Sequence, residues 1–83
     1  MIKILSFHFL ENNHLFLEFS DGSKGIFDLP AYLAKKQGPL LEPLKDEGFL
    51  KRAFLDAGAL SWPHGLELSP DRLHELTQKQ QAA

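Results

Sequence analysis

Apolar and polar residues alternate most cleanly over His14–Phe19, where Leu15, Leu17 and Phe19 share one parity against His14, Phe16 and Glu18. A period of two predicts a strand with one buried face. Upstream, residues 2–10 carry apolar side chains on both parities, Ile2, Ile4 and Leu10 against Leu5, Phe7 and Phe9. That pattern predicts a strand covered on both faces and central in its sheet or next to the centre. The polar turn Glu11-Asn12-Asn13 separates the two, and Ser20-Asp21-Gly22 closes the next hairpin. Its register follows from which side chains end up inside. A two-residue Asp21-Gly22 turn would bury Lys24, Ile26 and Asp28 beside Leu15, Leu17 and Phe19, whereas a three-residue loop with a left-handed Gly22 buries Phe27 and Leu29 instead. The longer loop is preferred, and it leaves Phe16 and Ile26 together on the opposite face, which a helix or a partner chain must partly cover.

Farther along, Asp28-Leu29-Pro30 reads as a strand end and a capped helix start, followed by a short helix over residues 31–37. Lys35 and Lys36 suit the negative end of its dipole, Gly38 suits the left-handed position after it, and Pro39 stops it. The Pro-broken segment that follows is a connector with a single helical turn, pinned to the core by Leu41 and Leu44. Residues 49–56 and 59–62 predict a second strand pair about Ala57-Gly58, with Phe54, Leu55, Leu60 and Trp62 in the core. Pro63 ends that pair, Gly65 frees the turn, and Leu66-Glu67-Leu68 is a short extended piece. Ser69 as N-cap, Pro70 at the first helical position, Asp71 at the second, and Leu68 and Leu73 as a staple mark the last helix, with Leu73 and Leu76 facing the sheet. The predicted fold class is α+β: a small antiparallel β-sheet domain of two hairpin-like strand pairs, one short mid-chain helix and one C-terminal helix. Residues 1–77 form one domain and residues 78–83 a frayed polar tail.

Composition narrows the function classes. At 83 residues, folding buries only about 60–65% of the surface the unfolded chain exposes, so self-association into a homodimer would add useful stability. The net charge of -2 gives no global field to attract phosphate, and direct nucleic-acid binding is not expected. The Lys35-Lys36 pair reads as helix-end charge. No cysteine is present, which removes disulfides and thiolate chemistry and fits a reducing, cytoplasmic setting. Lys3 and His8 interrupt the N-terminal apolar run, so it reads as a strand rather than a leader, and no run reaches the ~18–20 residues of a membrane span.

Candidate chemistry concentrates in residues 61–76, which hold the one Trp, two of the five Pro and two of the four His. His64, Glu67, Asp71, His74 and Glu75 would be the residues of a metal or acid-base site. Their spacing matches no zincin or EF-hand pattern, and each carboxylate has a simpler role at a helix start or surface. The expectation is therefore no catalytic residue, no metal, no cofactor and no enzyme activity, with the His64/Glu67/Asp71/His74 region as the alternative ligand, metal or enzymatic site. His8 and His14 flank the first turn and could meet across it, but two histidines without a carboxylate or thiolate make a poor site. Trp62 reads as a core or interface anchor.

These residues also carry a resemblance. Trp62-Pro63-His64-Gly65 with a following apolar and acidic residue, then Ser69-Pro70-Asp71 and Leu73, resembles the C-terminal signature of the prokaryotic domain of unknown function family 2442, whose pattern there is Trp-Pro-Asn-Gly-Ala-Asp, a gap, Pro-Asp or Pro-Glu, and Leu-Tyr. Phe19-Ser20-Asp21-Gly22, Phe27-Asp28-Leu29, Leu44 and Phe49 fall in the family's order, so the similarity spans nearly the whole chain. His64 stands for the usual Asn, Leu66-Glu67 for Ala-Asp and His74 for Tyr. The resemblance implies a compact α+β domain and an antitoxin-like or regulatory member of a pair with a second, toxin-like small protein; this chain has no room for the helix-turn-helix domain to which some members are fused. Trp62, His64, Glu67, Phe16 and Ile26 are the candidate partner-binding residues.

Overall fold

Gly22 and Gly65 set the strand pairing of this chain. In the computed structural model, which describes residues 1–79, both take positive φ, 88° and 99°, a conformation open to a residue without Cβ. They close two loops in the same way. The Phe19 amide donates to the Ser23 carbonyl (2.9 Å) and the Gly22 amide to the Phe19 carbonyl (3.0 Å), while Trp62, Leu66 and Gly65 repeat the arrangement at 2.9 and 3.1 Å. This is the hydrogen-bond pattern of a three-residue hairpin loop ending in a glycine bulge. In the first hairpin it sets Leu15 opposite Phe27, Leu17 opposite Gly25 and Phe16 opposite Ile26, the register that burial favours.

Strands β1 (Ile4–Phe9), β2 (His14–Phe19) and β3 (Lys24–Asp28) form one antiparallel sheet in that order, and β4 (Phe54–Asp56), β5 (Ala59–Ser61) and β6 (Glu67–Leu68) form a second. The expected strand pairs are thus each extended by a third strand. β2, not β1, is the central strand of its sheet. The mixed parity of β1 has a different cause from double coverage. Its register slips between Ile4, opposite Phe19, and Ser6, opposite Glu18, so Leu5 is a bulge residue left 64% exposed. Past the bulge, Phe7 and Phe9 join Ile4 on the inward face, opposite Leu17 and Leu15.

Among the described residues there are three α-helices, α1 (Leu29–Lys35), α2 (Glu47–Leu50) and α3 (Pro70–Lys79). Asp28 caps α1 by accepting from the Ala31 amide at 3.0 Å. α1 ends earlier than its composition suggests, at Lys35, with Lys36 extended and donating to the Tyr32 carbonyl, so Gly38 is not its terminal residue. Leu44 is buried in a single helical turn over Glu42–Lys45, as expected. The strand expected from residue 49 begins only at Phe54, because Asp46 accepts from the Phe49 amide (2.9 Å) and starts α2 there. Phe54 is 42% exposed and does not belong to the core. Ala57 and Gly58 turn with φ of 52° and 86°, and Gly58 accepts from the Ile4 amide at 2.9 Å. That bond ties the second sheet to the first.

α3 lies against β3. Gly25 faces Thr77 so closely that an added Cβ would stand 2.4 Å from the Thr77 Cβ. The buried Thr77 hydroxyl returns to the Leu73 carbonyl at 2.8 Å, which satisfies it without a partner from the sheet. Gln78 belongs to the helix, donating to the Lys24 carbonyl at 3.1 Å; of the expected tail only residues 80–83 lie outside the described residues. One core results, running through Leu15, Leu17, Phe19, Phe27, Leu60, Trp62, Leu68 and Leu73.

Candidate functional site

Trp62 stands at the base of the second loop and points into the core. The ring is 1% exposed, and its Nε1 donates to the Leu50 carbonyl at 2.9 Å. A buried indole with its one donor satisfied is an anchor for α2, and it offers no surface to a partner. His64, two residues on, is committed as well. Its Nε2 donates to the Leu40 carbonyl at 2.7 Å, its ring meets Phe49 edge to face at 4.9 Å, and its Nδ1 is buried without a hydrogen-bond partner. Arg52 stands over the same Phe49 ring at 5.5 Å. His64 therefore fastens the loop after α1 to the turn, and Glu67 alone of this group is exposed.

The suspected His64, Glu67, Asp71 and His74 site is dispersed. While His64 points to Leu40, His74 reaches back to the first hairpin, where its Nε2 donates to Asp21 Oδ2 at 3.0 Å and its ring packs edge-on against Phe19 at 4.9 Å. Asp21 Oδ1 accepts from the Ser23 hydroxyl (2.6 Å) and the Ser23 amide (3.0 Å). The Ser23 hydroxyl and then its amide bring the Asp21 carboxyl down from 3.8 to about 2, partly opposed by desolvation, with lesser lowering by the His74 hydrogen bond and charge. This is a clasp between a loop and a helix. Among the described residues no group of three or more His, Cys, Asp or Glu side chains could hold a metal ion.

His8 and His14 do not meet either. His8 lies over Phe16, ring centroids 5.2 Å apart, and His14 Nε2 approaches Asp28 Oδ2 at 3.2 Å. Both belong to the outer face of the first sheet with Ser6, Phe16, Glu18, Lys24 and Ile26, all exposed or half-buried. At its middle Phe16 and Ile26 are direct cross-strand neighbours, and Ile26 is 45% exposed. These are the two candidate residues that the fold brings together on accessible surface.

A second feature escaped sequence reasoning. Between α1 and α3 a groove of about 320 Å³ is lined by Phe27, Asp28, Ala31, Tyr32, Lys35, Lys36, Arg72 and Leu76. Arg72 lies 36 positions beyond Lys36, and no local pattern signals that they converge.

One family model, described as "Protein of unknown function (DUF2442)", matches residues 4–78. No curated protein and no solved structure matches the chain.

Proposed function

The chain belongs to the DUF2442 family of proteins of unknown function, and on that premise we propose that it is a protein-interaction module acting by contact with a second small protein. In this reading it is the antitoxin-like or regulatory member of a cytoplasmic pair and has no catalysis of its own. The observation that carries the reading is the Phe16–Ile26 pair, apolar side chains side by side on a sheet face that the chain leaves accessible. Cross-strand apolar pairs on a polar-rimmed face resemble the centre of a protein–protein interface, where a few anchors supply most of the affinity. Ser6, Glu18, Lys24 and the His14–Asp28 pair form the polar rim. The divergent partners of His64 and His74 support the noncatalytic reading, since an acid-base or metal site needs its groups converging on one point.

Co-expression with the product of the adjacent reading frame tests the proposal. A stable complex that survives size-exclusion chromatography is expected, with hydrogen exchange slowed in β2 and β3 on binding. An inert mixture at micromolar concentration contradicts it. A second copy of this chain is the competing occupant of the same face, and sedimentation of the isolated protein separates the two: a dimer lost on Ile26→Thr would replace the heteromeric reading.

A further inference from the structure

The groove between α1 and α3 pairs an apolar floor with a cationic rim. Its floor is the Phe27–Tyr32 pair, ring centroids 5.6 Å apart at 63°, together with Ala31 and Leu76. Its rim carries Lys35, Lys36 and Arg72. The two carboxylates nearby are already used. Asp28 spends one oxygen on the Ala31 amide and the other on His14, and Glu75 engages only Nη1 of Arg72, at 2.6 Å. Lys35 and Lys36 have no carboxylate partner among the described residues. Set against the Asp28 and Glu75 carboxylates, Lys35, Lys36 and Arg72 still leave one net positive charge around the groove, opposite in sign to the chain's -2. Helix-end electrostatics accounts for the lysines of α1 but not for Arg72, which sits in the first turn of α3, where the dipole disfavours a cation.

We infer that this groove is a binding site for a small organic carboxylate with an apolar, ring-sized body. The ring would lie on Phe27, Tyr32 and Leu76, and the carboxylate would meet the Lys35/Lys36/Arg72 rim. The volume of about 320 Å³ admits such a molecule, being at the small end of ligand pockets. It is too small to seat a folded partner's surface, and this site is independent of the Phe16–Ile26 face.

Tyr32 is the chain's only tyrosine, so its ring resonances give an unambiguous report. Titration with 3-phenylpropionate, followed by NMR, is expected to shift the Tyr32 ring, the Leu76 methyls and the Lys35 and Lys36 amides, with a Kd on the order of 1 mM for a ligand of this size. The uncharged 3-phenylpropanamide should bind at least about fivefold more weakly, as should 3-phenylpropionate to the Lys35→Gln/Lys36→Gln variant, whose changes are both on the surface. Ala31→Phe should fill the groove and abolish the shifts, with the remaining spectrum showing that the fold is kept. No shifts up to roughly 10 mM, equal binding of acid and amide, or shifts unaffected by these variants would each overturn the proposal. So would binding of an acidic peptide at the same residues without any binding of the small acid.

Discussion

Asp21 is a residue whose ionisation bears on the first hairpin, through Ser23, and to a lesser degree on its contact with α3, through His74. Its carboxyl is held at about 2 against an ordinary 3.8, so its folded form is the more acidic one. A depressed carboxyl stabilises the fold fully above the unfolded value, and that contribution is lost as pH falls through the folded value. Thermal melts of the wild type should therefore lose stability on acidification from 3.8 toward 2, and Asp21→Asn should flatten that part of the profile. A profile in Asp21→Asn as steep as the wild type's would refute the assignment. Trp62→Phe should cost about 2–4 kcal/mol in denaturant unfolding, through lost volume and a Leu50 carbonyl deprived of its donor. Trp62 was legible from composition as an anchor, because a lone Trp in a small domain is seldom spare. The partners of His64 and His74 were not legible. Each pairs across the fold, with Leu40 and with Asp21, at separations of 24 and 53 residues, and only the tertiary structure decides such contacts.

Helix starts and tight turns were the most readable elements, because their chemistry is local. Asp28 and Ser69 cap helices where the sequence marks them, with acceptor distances of 3.0 and 3.4 Å, while Asp46, at 2.9 Å, caps a helix where the sequence pattern predicts the start of a strand. The longer Ser69 bond implies a smaller effect: Asp46→Ala should cost about 1 kcal/mol and Ser69→Ala about half of that. Equal losses in chemical denaturation would show that distance does not rank these caps. The Asp46 cap explains why residues 49 and 50 are helical despite their strand-like side chains, since a satisfied amide at Phe49 outweighs a weak β preference in so short a segment. β1 shows the opposite limit. Its alternating parities were visible, but a bulge and a doubly covered strand produce the same sequence pattern, and only the pairing with β2 separates them. The α3–β3 contact was equally hidden, since Gly25 in a strand signals close approach without naming what approaches. Gly25→Ala should cost at least about 1–3 kcal/mol, because Thr77 meets the new methyl with its own Cβ and not with a flexible end.

At the scale of the whole molecule, two three-stranded sheets share one core, and the side chains with distinctive chemistry are mostly spent holding it together. Trp62 holds α2, His64 the loop after α1, and His74 the first hairpin. Two outward features can be tested separately, the Phe16–Ile26 face and the cation-rimmed groove, which draw Ile26 and Phe27 from opposite faces of β3. The face was legible because the register argument put both residues on one side. The groove was not, because it needs α1 and α3 placed together. The most direct measurement is the affinity of the adjacent-frame protein for the Phe16→Thr/Ile26→Thr variant, with Leu5→Thr as a control at another exposed apolar position. Threonine keeps the strand preference of these sites. The account predicts a loss of about tenfold or more for the double variant, unchanged binding for the control and near-unchanged melting for both. Undiminished affinity in the double variant would contradict it.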